Sequence, residues 1–233
     1  MSRVFKTDFD ELLTFIKDYS VASLCGDDNF VKFLSTIHKK FYVYLVLIEE
    51  MRKCVDDKSK QPELNGNQFA YLQESVSDCG QSLFLCVNGC YKGARLLLRS
   101  SIENLLKGIS LDDVPQILTE KSVYQVFDDA NQTEVFKGTN IVAELYDIYG
   151  LLCQDVHTTD PSHMIGVKSL NFFPHFVSDE AKKIEKVFIR LIPLFVTALC
   201  IKYYVIYHAI DWTHKELIVT AQIDTYKAMI NGE

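Results

Sequence analysis

The chain has 233 residues, which is long enough to bury a substantial core in one large domain or two small ones. Hydrophobic residues make up 48% of it and charged residues 24%, a balance that is typical of globular proteins and argues against wholesale disorder. The formal net charge of −7 excludes a generally basic nucleic-acid coat, because non-specific binding depends on Lys and Arg neutralising phosphates. A local basic site is still compatible with this charge.

The seven cysteines are odd in number and none forms a CxxC pair, so we expect buried thiols in a reducing compartment instead of a disulfide framework. The amino terminus, "MSRVFKTDFDELL", carries charges where a signal peptide needs apolar residues. Residues 187–210 are the most apolar stretch, but their uninterrupted apolar run covers only 191–201 and is bordered by Arg190 and Lys202. A spanning helix needs roughly 20 apolar residues. We therefore expect a cytoplasmic protein without a membrane partner.

Apolar residues at a period of 3.6 dominate the chain, and no convincing alternating strand pattern is present. Residues 41–48, "FYVYLVLI", are β-prone in isolation, but they continue without a break signal into polar residues on both sides. One helix over about 28–55, capped by Asp27 or Asp28, accounts for the whole segment.

The remaining predicted elements follow in chain order. They are a helix over 4–19, a very long helix over 67–109 or two joined near Gly80, a short element from Asp112 and Pro115 to about Lys121, a helix over 122–130, one over 140–157, one over 178–210 kinked at Pro193, and a last one from a capping box at Thr213–Glu216 to just before Gly232. Residues 56–67 and 158–176 are expected to be loops. The sequence therefore predicts an all-α, single-domain antiparallel bundle of about six to seven helices over residues 1–233.

A polar stripe follows one face of the helix that contains "YKGARLLLRSSIENLLK", residues 91–107. At 100° per residue, a stripe about 80° wide contains Asn88, Lys92, Arg95, Arg99 and Glu103. Small residues on the other side indicate close packing of a neighbouring helix, so Arg99 and Glu103 are expected to be partly buried and to need partners. Two interpretations are open: an Arg99–Glu103 pair that only satisfies itself, or a cleft in which the arginines bind an anion such as phosphate.

His157 is the second candidate feature, since it ends the predicted helix over 140–157. A protonated histidine at a helix C-terminus is stabilised by the helix dipole. The residue is therefore either a C-terminal cap or a general acid/base that faces the Arg99 stripe, with Asp155 beside it.

Together, the segments "A-R-x-L-L-R-S-x-x-E" (94–103) and "Y-x-L-L-x-x-x-V-H" (149–157) resemble bacterial helical proteins with HEPN-like bundles, over about residues 70–160. The resemblance implies a dimeric ribonuclease toxin or antiviral-defence component, whose motif pairs an Arg with a His four to six residues further along. None of the five arginines of this chain has a histidine at that spacing. A HEPN-like site here would combine His157 with Arg95 or Arg99 from another helix.

Other candidate sites in the sequence are less informative. Four residues, Asp155, His157, Asp160 and His163, are of metal-ligating types, but neither an HExxH motif nor Cys/His zinc spacing is present. No phosphate-cradling glycine loop exists either, and we expect neither a metal nor a cofactor. The aromatic run "NFFPHF" (171–176) is either a partner-docking patch or a lid on its own bundle.

Two functions follow as expectations. The first is a HEPN-like defence or toxin-type protein that binds or cleaves RNA, a metal-independent ribonuclease if catalytic. In it Arg95, Lys92 and Asp155 bind the RNA or nucleotide, His157 and Arg99 act in catalysis, and Glu103 orients an arginine. The second is a non-enzymatic helical interaction protein, either a homodimer or a subunit of a defence complex, in which the same groups are structural.

Overall fold

The computed structural model describes residues 3–56, 64–154, 166–167 and 169–231, with side chains from residue 6 onwards. Within these ranges the chain forms ten α-helices, joined in places by short 3₁₀ turns, and no β-strand. The helices are α1 (Arg3–Asp18), α2 (Asp28–Asp56), α3 (Gly66–Val87), α4 (Tyr91–Ser110), α5 (Val123–Asn131), α6 (Ile141–Gln154), α7 (Ser178–Lys202), α8 (Tyr204–Ala209), α9 (Trp212–Val219) and α10 (Lys227–Asn231). The predicted all-α class is confirmed.

The β-prone segment 41–48 lies in the middle of α2, as predicted. Asp27 caps this helix, because its carboxylate accepts hydrogen bonds from the backbone N–H groups of Asn29 and Phe30. One face of α2 buries Phe33, Tyr44 and Leu47 in the core. Burial of one face by neighbouring helices therefore outweighs the β propensity of this segment.

The long polar-and-apolar segment 67–109 forms two helices, but the predicted junction near Gly80 was wrong. The chain turns at Asn88–Cys90, where Gly89 takes a φ of +80° that favours glycine. Gly80 lies inside α3 instead, and a Cβ there would come within 3.1 Å of the ring of Phe41 on α2. This glycine allows close helix packing and does not break the helix.

Two predicted C-terminal helices are also shorter than expected. The helix from Ser178 continues through Pro193 but ends at Lys202, where Tyr203 leaves the helical conformation before α8. The capping box at Thr213 was wrong, since Asp211 is the cap and its carboxylate accepts the Thr213 N–H at 3.0 Å. Periodicity alone does not detect such interruptions, so the observed helices outnumber the six or seven expected.

Helix α4 is central, because it packs against α3, α5, α6 and α7. Its buried apolar residues include Leu98, Ile102 and Leu105, which are fully enclosed. On the other side of the core, α2 packs against α3, α7 and α9. Among the described helices, none combines the length and the apolar character needed to cross a membrane.

The aromatic run 171–176 is divided between core and surface. Phe176 packs against Phe30 of α2, with ring centroids 5.6 Å apart, whereas Phe172 is half exposed. Part of this run is therefore a lid on its own bundle.

Candidate functional site at the α4–α6 contact

The predicted polar stripe on α4 is divided among three environments. Asn88 precedes α4 and lies in the turn that joins α3 to α4. Its side-chain Oδ1 accepts a hydrogen bond from the hydroxyl of Tyr19. Lys92 is exposed, Arg95 is buried, and Arg99 with Glu103 lies between these extremes. The prediction that Arg99 and Glu103 are partly buried agrees with their side-chain exposures of 25% and 27%.

Tyr149 of α6 connects Arg99 to Glu103. Nε of Arg99 donates a hydrogen bond to the Tyr149 hydroxyl at 2.6 Å, and that hydroxyl donates to Oε1 of Glu103 at 2.7 Å. The Arg99 guanidinium carbon also lies 4.9 Å from the centre of the Tyr149 ring. The direct Arg99–Glu103 distance is 3.7 Å, so the ion pair exists but the tyrosine mediates it. We call these three residues the RYE cluster.

The electrostatics of the RYE cluster hold Tyr149 and Arg99 in defined protonation states. Burial and then the hydrogen bond to Glu103 raise the pKa of the Tyr149 hydroxyl well above its usual range, which keeps it a donor. Burial works against the charged form of Arg99, but the hydrogen bond to Tyr149 and the nearby Cys153 and Glu103 raise its pKa overall. Arg99 is therefore a permanent cation beside the α4–α6 contact.

The RYE cluster uses only one nitrogen of the Arg99 guanidinium. Nη1 and Nη2 have no hydrogen-bond partner in the described part of the chain, while Nε is bound to Tyr149. A guanidinium held by Nε presents its two terminal amino groups as a pair, a geometry suited to a phosphate or carboxylate.

Arg95 has a different environment, because its side chain is only 3% exposed and Nη2 forms an ion pair with Oε2 of Glu180 on α7. The other oxygen of Glu180 accepts from Lys183 at 2.8 Å. Burial raises the pKa of Glu180, but the bonds from Lys183 and Arg95 outweigh it and lower the pKa overall. This pair joins α4 to α7 and gives Arg95 a structural role.

A groove of about 450 Å³ lies between α6 and α7, next to Arg95. We call it the α6–α7 groove. Its apolar lining consists of Ile148, Leu151, Leu152, Val187 and Ile189, and its polar lining consists of Arg95, Lys183, Lys186, Arg190 and Gln154. The three cations of α7 share one face because they stand at positions i, i+3 and i+7.

The structure thus brings together Arg99 and Glu103, whereas Arg95 is bound to Glu180 on α7 and Lys92 is exposed. The predicted acid/base His157 and its neighbour Asp155 lie outside the described residues, as do Asp160 and His163 of the candidate metal set. Among the residues that are described, no group of three metal-ligating side chains is present.

Sequence reasoning assigned no role to Tyr149, Glu180 or the α7 cations. The spacing K-x-x-K-x-x-x-R over 183–190 was a usable signal for a basic helix face. The bond of Glu180 to Arg95 joins residues 85 positions apart, and no local pattern indicates it.

Comparisons with known proteins give no further assignment. A scan against protein-family models, a search of curated proteins and a search of solved structures each found no match to this chain.

Proposed function

We propose that this chain is a HEPN-like protein of the bacterial antiviral-defence or toxin type that binds RNA at the RYE cluster. The observation that carries the proposal is the fixed guanidinium of Arg99, whose Nε is bound to Tyr149 and whose terminal amino groups have no partner among the described residues. Two such amino groups suit a phosphate. It is supported by the contact between the two segments on which the resemblance rests, since Arg99 and Glu103 belong to one and Tyr149 to the other.

In this proposal His157 acts on the phosphodiester that Arg99 binds. Tyr149 and then Cys153 lie beside Arg99 along α6, and His157 follows four positions after Cys153 in the sequence. A neutral histidine there accepts the proton of the ribose 2′-hydroxyl as its oxygen attacks phosphorus. The bond from phosphorus to the 5′-oxygen breaks, the imidazolium formed in the first step returns its proton to that oxygen, and a 2′,3′-cyclic phosphate remains. Arg99 stabilises the charge that develops on the phosphate. Glu103 holds Arg99 in place through Tyr149.

The test combines growth with RNA integrity in cells that express the wild type, His157→Ala or Arg99→Gln. Growth arrest with RNA breakdown is expected for the wild type and for the control His38→Ala, whose exposed ring lies on α2 away from the RYE cluster. Neither His157→Ala nor Arg99→Gln should arrest growth.

A binding experiment separates a catalytic protein from one that only binds RNA. Purified wild type is mixed with a short single-stranded RNA, and retention is compared with that of Arg99→Gln. RNA that stays intact but is retained in an Arg99-dependent way indicates a binding-only member. If RNA is neither cut nor retained, the proposal fails.

A second function, a non-enzymatic interaction subunit or homodimer, is favoured by one observation on α1. Phe9, Leu13 and Ile16 form an exposed apolar stripe on this helix, with exposures of 49%, 38% and 58%. Such a stripe is typical of a face that another chain covers. Light scattering of the wild type against Phe9→Ser/Ile16→Ser tests it, since only the wild type should exceed the monomer mass.

A further inference from the structure

The α6–α7 groove combines an apolar floor with an excess of positive charge. Leu151 and Ile189 are 46% and 43% exposed, so large apolar surfaces face solvent there. An apolar cleft of this size with a few convergent polar groups is the usual form of a small-molecule site.

Among the described residues, the cations that line the groove outnumber the carboxylates bound to them. Glu180 is bound to both Arg95 and Lys183, one through each carboxylate oxygen. Lys186 and Arg190 have no ion pair with any carboxylate of the described residues. A ligand with a negative head group would supply the missing charge, and desolvation of the apolar floor would strengthen that attraction.

We propose that the α6–α7 groove binds a free amphiphilic anion, namely a long-chain carboxylate or phosphate monoester. The head group meets Lys186 and Arg190, and the aliphatic chain covers Leu151, Leu152 and Val187. This site is independent of the RYE cluster, and the proposal does not rest on RNA binding.

Two other occupants fit the groove less well. A nucleic-acid backbone gains little from a floor made of aliphatic side chains, because it recognises proteins through phosphates, stacking and hydrogen bonds. Proteins bind a membrane surface through residues that protrude from them, whereas this site is concave. Anionic lipids also repel a protein with a net charge of −7.

The experiment is calorimetric titration of the full chain with dodecanoate below its micelle concentration. One saturable site is expected. Dodecyltrimethylammonium, which has the same tail and the opposite charge, should bind more weakly by at least about tenfold. Acetate, which is the head group alone, should not bind measurably.

Variants locate the site. Lys186→Glu/Arg190→Glu and Leu151→Gln should each weaken dodecanoate binding by about tenfold or more. The matched charge reversal Lys32→Glu/Lys39→Glu, at exposed positions on α2, should leave it unchanged. Circular dichroism confirms that each variant is folded, and all the changed side chains are exposed.

The proposal is overturned if the cationic and anionic amphiphiles bind equally, or if both charge-reversal variants behave alike. It is also overturned if free dodecanoate does not bind and the protein instead binds anionic vesicles or a short RNA in a way that requires Lys186 and Arg190.

Discussion

Nε of Arg99 lies 2.6 Å from the hydroxyl oxygen of Tyr149, and this hydrogen bond joins two helices whose contributing residues are 50 positions apart. The same hydroxyl donates to Glu103, one turn further along α4. A pair that the sequence suggests as a simple i, i+4 ion pair is therefore a three-residue cluster. The tyrosine fixes the position of the arginine without using its terminal amino groups.

Removing only the bridging hydroxyl tests this cluster. We expect Tyr149→Phe to lower the free energy of unfolding by about 1–2 kcal/mol, because hydrogen bonds to two charged, half-buried groups are lost. Urea denaturation measures the change. Tyr146→Phe, at an exposed position on the same helix, should change it by less than about 0.5 kcal/mol. Equal effects of the two substitutions would show that the bridge contributes nothing to stability.

Neutralising Glu180 should weaken the contact between α4 and α7. Glu180→Gln keeps the shape of the side chain but removes the charge that meets buried Arg95, and we expect a loss of about 1.5–3 kcal/mol. Asp179→Asn is the matched control, since Asp179 also lies in the first turn of α7 but is exposed and 3.8 Å from Lys182. The helix-dipole effect is common to both positions. A loss no larger than that of Asp179→Asn would contradict a stabilising ion pair.

The contribution of Glu180 should depend on pH in a defined direction. Its pKa is lower in the folded state than in the unfolded state, because Lys183 and Arg95 outweigh the effect of burial. The stabilisation is therefore fully present above the unfolded pKa of about 4.3 and is lost as pH falls through the folded pKa. The difference in unfolding free energy between wild type and Glu180→Gln should shrink below about pH 4. A difference that grows in acid would refute this assignment.

Asp78 on α3 should show the opposite dependence. Burial raises its pKa despite hydrogen bonds from Ser100 and Asn104, and the charges of Glu74 and Glu103 add to the rise. The folded state therefore disfavours the ionised form, so the contribution of Asp78 to stability falls as pH rises through its ordinary pKa of about 3.9. Stability relative to Asp78→Asn, measured by urea denaturation from acid to neutral pH, should decline over that range. A rise would mean that its hydrogen bonds outweigh burial.

Two glycines with positive φ should differ in their tolerance of a side chain. Gly138 has a φ of +74° and open space around its missing Cβ, so Gly138→Ala should cost about 1–2 kcal/mol from backbone strain alone. At Gly89 a Cβ would also collide with the backbone oxygen of His175 and lie 2.6 Å from its Nδ1. Gly89→Ala should cost about 2–5 kcal/mol. Thermal unfolding of both variants shows which substitution lowers stability more. Equal losses would mean that the segment around His175 shifts readily to make room for the added Cβ at position 89.

Sequence periodicity was sufficient for the elements that bury one continuous face. The helix over 28–55 and a cap at one of two aspartates, of which the structure uses Asp27, follow from apolar spacing and cap chemistry. Interruptions were harder to predict. The turn at Gly89 lies against His175, which is distant in sequence, and no proline or glycine in the sequence marks the break at Tyr203.

The sequence by itself determined the helical class and the positions of Arg99 and Glu103 on one face of α4, because a 3.6-residue period sets which side chains share a face. Only the tertiary structure decided what meets that face. It placed Tyr149 between Arg99 and Glu103, bound Arg95 to Glu180, and lined the α6–α7 groove with Lys186 and Arg190. The physical reason is that such contacts depend on how helices pack across long sequence separations, whereas a period describes each helix alone.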